Sequence, residues 1–201
     1  MAHYNLLTKD NSLLNEILKK ITSEYSHLSK ETIEEWKKDI QVLQLKKGTQ
    51  LVSEHKYTNR LFYIYKGSAK AYHLKDGKAI TDWFSFNNEF ICAITGYFLG
   101  QPSEHCIELT EDSVLLEFKR EDINMLSDKY FDFERFTKNA ITKIMLQLQQ
   151  RVTYLQFSSA RERYAFLLQQ YPEIELHISL GDIASYIGIT QETLSRVRAK
   201  K

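Results

Sequence analysis

The chain has 201 residues, of which 43% are apolar and 26% charged, and its formal net charge is +1. These proportions, with seven glycines and two prolines, exclude a disordered or fibrous protein. No apolar run approaches the roughly 20 residues of a membrane span. With two cysteines and no signal-peptide pattern at the N-terminus, we expect a cytoplasmic protein. Any nucleic-acid binding must use a local patch of charge.

The first 45 residues have the apolar spacing of helices. Leu14, Ile17, Leu18 and Ile21 recur at intervals of three and four residues, which predicts a helical extension within residues 1–28. Ser29 is a candidate N-cap for a second helix that precedes the next region.

Residues 41–118 have the pattern of a β domain, whose predicted bounds are residues 29–120. Glycines divide short runs rich in Tyr, Phe, Ile and Val, and Asp76-Gly77 between two such runs predicts a hairpin. Strands at this spacing indicate a barrel, a sandwich or a β-roll. Strands and helices do not alternate here, which argues against a Rossmann nucleotide-binding unit.

Residues 121–158 are predicted to form one long helix with two apolar stripes. Phe133, Phe136, Ala140 and Ile144 form one stripe. Two apolar faces need two partners, so we expect one stripe to pack on the β domain and the other on a second copy of the chain. A single core-facing helix in a monomer is the alternative. The predicted dimer seam steps by 4, 3, 4 and 3 residues and comprises Ile141, Met145, Leu148, Val152 and Leu155.

Residues 159–201 contain the strongest motif of the chain. Ser179 starts a short helix, Gly188 suits the positive φ of a tight turn, and Thr190 caps a second helix. Ile183, Ile187, Leu194 and Val197 fall where two crossing helices need apolar contacts. This is a helix-turn-helix pattern. An ordinary helical hairpin is the alternative.

The outward positions of this motif are candidates for DNA contact. Arg196 suits guanine, Gln191 suits adenine and Glu192 suits the cytosine amino group. Solvated surface side chains are the alternative for each. The predicted DNA-contacting set is Ser179, Thr190, Gln191, Glu192, Ser195, Arg196, Arg198 and Lys200.

These motifs, in this order, resemble the Crp–Fnr (cyclic-AMP receptor protein-like) family of bacterial transcription regulators. The resemblance rests on Leu-Lys-Lys-Gly at 45–48, the run at 61–67, the Asp76-Gly77 hairpin, Phe90-Ile91, the long helix and the C-terminal motif. It implies an α+β fold: a cyclic-nucleotide-binding-like β-roll of jelly-roll type, a long dimerisation helix and a helix-turn-helix domain. It further implies a homodimer on a near-palindromic site in double-stranded DNA, a small-molecule effector and RNA polymerase as a candidate partner.

The sequence departs from the family where cyclic nucleotides bind. The family's binders have a Gly-Glu pair for the ribose and an Arg-Ser pair for the phosphate, and here Cys92-Ala93 and Ser103-Glu104 take those places. Residues 92–106 contain no Arg or Lys. We therefore expect that cyclic AMP does not bind in the usual manner, and we take Cys92, Ala93, Ser103 and Glu104 as the candidate effector pocket.

Other chemistry finds little support in the sequence. An Fnr-type iron–sulfur cluster needs four cysteines. The histidines lie at least 18 residues apart, so no His-x-His pair suggests a cupin metal site. We predict no catalytic residue, no cofactor and no metal site. The chain ends five residues after Arg196, so we expect the DNA-binding domain to lack a full wing. A sensing or partner-binding module with weak DNA binding remains the alternative function.

Overall fold

Nine strands build two antiparallel sheets in the computed structural model, which describes residues 5–6 and 11–199. The strands are β1 (Asn5–Leu6), β2 (Gln41–Leu45), β3 (Gln50–Val52), β4 (Arg60–Lys66), β5 (Ala69–Lys75), β6 (Lys78–Ser85), β7 (Glu89–Cys92), β8 (Cys106–Leu109) and β9 (Ser113–Lys119). One sheet has the order β1-β2-β9-β4-β7 and the other β3-β8-β5-β6. Strands β2–β9 form the predicted β-roll, so the expected fold class is confirmed.

The two sheets enclose an aliphatic core because alternate residues of each strand point inward. The core includes Leu43, Phe62, Ile64, Ile107 and Leu115, which are at most 2% exposed. Burial of each such side chain contributes on the order of 1.5–3 kcal/mol relative to an exposed one.

The predicted hairpin joins β5 to β6. Asp76 and Gly77 have φ values of 52° and 74°, and a two-residue turn with positive φ at both positions matches the twist of the flanking strands. The pairing is regular from Lys75–Lys78 to Tyr72–Thr81, and then shifts to Ala71–Trp83. Asp82 is therefore the extra residue of a β-bulge. A bulge changes the direction of one side chain relative to the regular alternation of the strand.

Helices cover the outer face of the larger sheet. The first two are α1 (Asn11–Glu24) and α2 (Lys30–Trp36), and Ser29 caps α2 by accepting a hydrogen bond from the Thr32 backbone. The prediction of an entirely helical extension is corrected at residues 5–6, which pair with β2 as a strand. Residues 1–4 and 7–10 of that extension lie outside the described part of the chain.

The segment predicted as one long helix is divided. A short helix, α3 (Ile94–Leu99), precedes it, and the segment itself forms α4 (Arg120–Lys129) and α5 (Phe131–Phe157). Tyr130 between them is extended, with φ −124° and ψ 113°. The break allows Leu126 of α4 and Phe133 of α5 to enter the same core as Trp36. The heptad spacing gave no sign of this break because it starts after Tyr130.

Four helices form the C-terminal region. They are α6 (Ala160–Gln170), α7 (Ile174–His177), α8 (Leu180–Tyr186) and α9 (Gln191–Ala199). Ser159 and Glu162 make a reciprocal capping box at the start of α6, which satisfies two backbone N–H groups. Phe84 of β6 belongs to the core of this region, so the C-terminal helices are seated on the β-roll. None of the helices in the described residues combines the length and the apolar character that a membrane span requires.

Candidate effector cavity and nucleic-acid interface

Helices α8 and α9 are held in a helix-turn-helix arrangement by their caps and their core. The Ser179 hydroxyl accepts from the Asp182 backbone at 3.1 Å, and the Thr190 hydroxyl accepts from the Thr193 backbone at 3.2 Å. Gly188 between them has a φ of 71°. Ile183 and Leu194 are fully buried at the crossing. Each feature agrees with the sequence-based prediction of this motif.

The outer face of α9 is exposed. Gln191, Glu192, Ser195 and Arg196 are exposed. Hydrogen bonds from its own backbone N–H and from the Thr190 hydroxyl hold the pKa of the Glu192 carboxyl below its ordinary value. Glu192 is therefore an anionic acceptor at neutral pH, which suits an amino group on a base edge.

The other residues predicted to contact DNA are not among these four side chains. Ser179 and Thr190 are occupied as caps. The Arg198 Nε atom pairs with a Glu175 carboxylate oxygen at 2.8 Å, so this guanidinium is tied to α7. Lys200 lies outside the described residues.

A cavity of about 500 Å³ opens between the β-roll and α3, α4 and α5. Its wall is mostly apolar and aromatic, which suits a ligand with an apolar body. The apolar lining includes Trp36, Leu61, Trp83, Phe90, Tyr97, Ile123, Phe136, Ile144 and Leu148.

Two arginines supply positive charge to this cavity. The Arg120 Nη1 atom donates to the Tyr97 carbonyl at 2.8 Å, and the Arg151 Nη2 atom donates to the Tyr186 carbonyl at 3.1 Å. The Arg151 Nε atom is buried without a hydrogen-bond partner among the described residues. Neither cation was predicted from the sequence, because both lie outside residues 92–106, where the family's phosphate contact was expected. Arg120 is the first residue of α4, and Arg151 lies in the C-terminal third of α5.

The predicted pocket residues divide between the cavity and its surroundings. Cys92 lines the cavity, and burial raises the pKa of its thiol to about 12, so it is neutral. Ala93, Ser103 and Glu104 are not lining residues. Ser103 is fully buried, with its hydroxyl donating to the His105 carbonyl at 2.7 Å, while Glu104 is exposed. Cys92 and Cys106 are both free thiols.

Three side chains from distant parts of the sequence come together beside this cavity. The His105 Nε2 atom lies 2.8 Å and the His73 Nε2 atom 3.4 Å from the Asp82 Oδ2 atom. The hydrogen bond to Asp82 raises the pKa of His105, against the opposing effect of burial. His73 and His105 are 32 positions apart, so a search for closely spaced histidines could not find the cluster.

The α5 seam is partly uncovered. Ile141, Met145 and Val152 are about half exposed, whereas Leu148 and Leu155 are half-buried. The second stripe is buried as predicted: Phe133 and Phe136 lie in the core, with Ala140 and Ile144 packed on it.

Polar contacts fasten α8 to the β-roll. Lys70 of β5 forms an ion pair with Asp182 at 3.0 Å, with both side chains less than a fifth exposed. Thr81 of β6 donates its backbone N–H to the Ser185 hydroxyl at 2.9 Å and its own hydroxyl to Asp182 at 3.1 Å. The first helix of the motif is thus in direct contact with the strand that carries Asp82.

Comparison with known proteins agrees with this architecture. The cyclic nucleotide-binding domain family matches residues 42–130. These residues make up most of the β-roll, and the whole chain has the fold of the Crp–Fnr regulators. The family resemblance inferred from the sequence is confirmed. A search of curated proteins found no match.

Solved structures extend the likeness beyond the residues that the family matches. FixK2 from Bradyrhizobium japonicum superposes with a TM-score of 0.69 at 19% identity, over 80% of this chain and 83% of that one. The c-di-GMP-responsive global regulator CLP from Xanthomonas campestris gives 0.67 at 16% identity, over 86% and 91%. A CRP-family transcriptional regulator from Thermus thermophilus gives 0.64 at 17% identity, over 78% and 82%. At these identities the likeness is one of fold.

Proposed function

We propose that this protein is a homodimeric, sequence-specific DNA-binding transcription regulator whose sensor domain responds to an effector other than cyclic AMP. The observation that carries the proposal is the helix-turn-helix with an exposed α9 face, attached to a cyclic nucleotide-binding domain. In regulators of this build, the second helix of the motif enters the major groove.

The chemistry of α9 supports contact with bases. Arg196 can donate two hydrogen bonds to guanine O6 and N7, Gln191 can pair with adenine, and the ionised Glu192 can accept from cytosine. The backbone N–H groups at the start of α9 add a place for a phosphate. Ser179 and Thr190 support the DNA contact indirectly, because they cap the starts of α8 and α9. Arg198 also acts indirectly, because its ion pair with Glu175 holds α9 against α7.

The α5 seam supports assembly as a dimer. An apolar stripe with three side chains about half exposed gains stability when a second copy covers it. A two-fold axis along this seam would set two α9 helices into successive major grooves, about 34 Å apart, and the site would be near-palindromic.

The cavity supports an effector unlike a cyclic nucleotide. No carboxylate stands at the position of Cys92 or Ala93 to hold a ribose, and Ser103 and Glu104 offer no cation for a phosphate. An apolar ligand with one anionic group fits the aromatic wall and the unpartnered Arg151 Nε atom better. We expect that calorimetric titration with cyclic AMP gives no binding at micromolar concentrations.

The proposal is tested by selection of double-stranded DNA from a random pool at physiological salt. We expect the wild-type protein to recover a near-palindrome with half-sites about 10 base pairs apart, centre to centre. Arg196→Ala should enrich it more weakly, and Lys138→Ala, at an exposed α5 position, should behave as wild type. No enrichment by the wild-type protein, with or without a small-molecule extract of the source cells, would favour a sensing module without DNA function.

A further inference from the structure

The cluster of His73, Asp82 and His105 has the composition of a metal site. The three residues come from β5, from β6 and from the loop that precedes β8. One ligand atom from each lies within 4.8 Å of the other two. The two imidazole rings are close as well, with centroids 4.0 Å apart. Two imidazoles and one carboxylate are a donor set that first-row divalent transition metals accept.

The β-bulge explains how Asp82 reaches the histidines. Thr81 immediately before it is buried against α8, and Ala71 pairs with Trp83 immediately after it. Asp82 therefore has no residue opposite it on β5. Bulges are common beside functional sites because they re-aim one side chain without disturbing the sheet.

The cluster leaves polar atoms unsatisfied. Among the described residues, the Asp82 Oδ1 atom and the His105 Nδ1 atom are buried without a hydrogen-bond partner. A buried polar atom without a partner is costly and calls for an explanation. A cation bound by Asp82 would give its carboxylate the partner that it lacks. Glu54 and Glu104 add negative charge near His105, which favours a cation further.

We propose that His73, Asp82 and His105 bind one divalent transition metal ion of the Zn²⁺ class. Donor atoms around a tetrahedral Zn²⁺ with bonds of about 2.0–2.1 Å lie roughly 3.3 Å apart. The separations of 2.8 and 3.4 Å from Asp82 to the two histidines are close to that value. Ca²⁺ and Mg²⁺ fit poorly because they prefer shells of oxygen.

The ion would be open to the effector cavity. Asp82 and His105 both line it, and three protein ligands leave a fourth position for water or a ligand atom. Cys92 also lines the cavity, but its thiol is held neutral by burial, so it adds no anionic donor. The ion would also lie one residue from Thr81, which contacts α8.

The test is titration of the metal-free, untagged full chain with Co²⁺ near neutral pH, followed by visible absorption and by competition with Zn²⁺. We expect one Co²⁺ per chain at micromolar protein, with a visible spectrum that Zn²⁺ abolishes. His73→Gln and Asp82→Asn should each weaken binding at least about tenfold. His177→Gln, a histidine paired with Glu111 outside the cluster, should bind as wild type.

The proposal fails if the wild-type chain binds no stoichiometric Co²⁺, or if both cluster variants bind as well as wild type does. Circular dichroism checks that each variant is folded. His73 is 38% exposed, so His73→Gln remains informative if Asp82→Asn unfolds. The titration uses no DNA, so its outcome is independent of the proposed DNA binding.

Discussion

At the scale of single residues, Asp132 fastens the start of α5 to α2. Its carboxylate accepts from the Ser29 backbone at 2.6 Å and from the buried Thr32 hydroxyl at 2.8 Å. We expect Asp132→Asn to lower the free energy of unfolding by about 1–3 kcal/mol, because one donor loses its acceptor. Urea denaturation measures the difference, and an unchanged midpoint would contradict it.

The same carboxylate makes stability depend on pH. Burial raises the pKa of Asp132, but the hydrogen bonds from Ser29 and Thr32 outweigh it and hold the pKa below its ordinary value of 3.8. The stabilisation is therefore present above the unfolded-state pKa and is lost as the pH falls toward the lower folded-state pKa. Below about pH 4, wild type should lose stability more steeply than Asp132→Asn. Equal slopes in acid would contradict this assignment.

Gly67 is required by both its backbone and its surroundings. Its φ is 112°, and a Cβ atom there would lie 2.1 Å from the Ser113 hydroxyl oxygen and 2.9 Å from the Ser113 Cα atom. Gly67→Ala should destabilise the protein by about 2–4 kcal/mol through strain and overlap. Gly48 is the control, because its φ is also positive, at 79°, but a Cβ atom there meets open space. Thermal unfolding should show a clearly smaller loss for Gly48→Ala.

At the scale of elements, the ion pair between Lys70 and Asp182 holds α8 on the β-roll. Both side chains are largely buried, so Lys70→Met leaves an unpaired carboxylate in a poorly solvated place. We expect faster amide hydrogen exchange in α8 and a loss of stability of about 1–3 kcal/mol.

The exposed pair of Lys46 and Asp112 is the control for Lys70→Met. It has a similarly close contact, but its side chains are 85% and 59% exposed. Exposed pairs contribute about 0–1 kcal/mol, so Lys46→Met should leave exchange in α8 unchanged. If Lys70→Met also leaves α8 exchange unchanged, the ion pair does not hold the helix.

The features that depend only on residues close together in the sequence were predictable from it. The Asp76-Gly77 turn, the Ser29 and Thr190 caps and the buried face of α1 follow from local spacing and side-chain chemistry. The break at Tyr130 was not predictable, because it depends on how two adjacent helices share one core.

The unpredicted parts of the candidate site all depend on long-range pairing. The bulge at Asp82 appears only in the register of β5 with β6, and the histidine cluster needs three separate segments to meet. Arg120 and Arg151 reach the cavity from helices outside the segment in which a cation was sought. The spacing of residues along the chain does not show which distant segments come into contact in the fold.

At the scale of the whole molecule, the exposed seam of α5 predicts self-association. Met145 is 57% exposed in the middle of this stripe, and Met145→Glu would place a charge in an interface formed there. We expect wild type to sediment as a dimer and Met145→Glu as a monomer. Gln150→Glu, about 140° around the helix from Met145, should remain dimeric. A monomeric wild type, or a dimeric Met145→Glu, would contradict this interface.

We expect the two α9 helices of the dimer to determine its DNA sequence preference. The most direct measurement compares affinities for the selected site and for a scrambled duplex at one salt concentration. We predict that wild type prefers the selected site by about 10³-fold or more. Arg196→Ala should lose about 1–3 kcal/mol on that site and almost nothing on the scrambled DNA. Equal affinity of wild type for both duplexes, or full preference retained by Arg196→Ala, would contradict the claim.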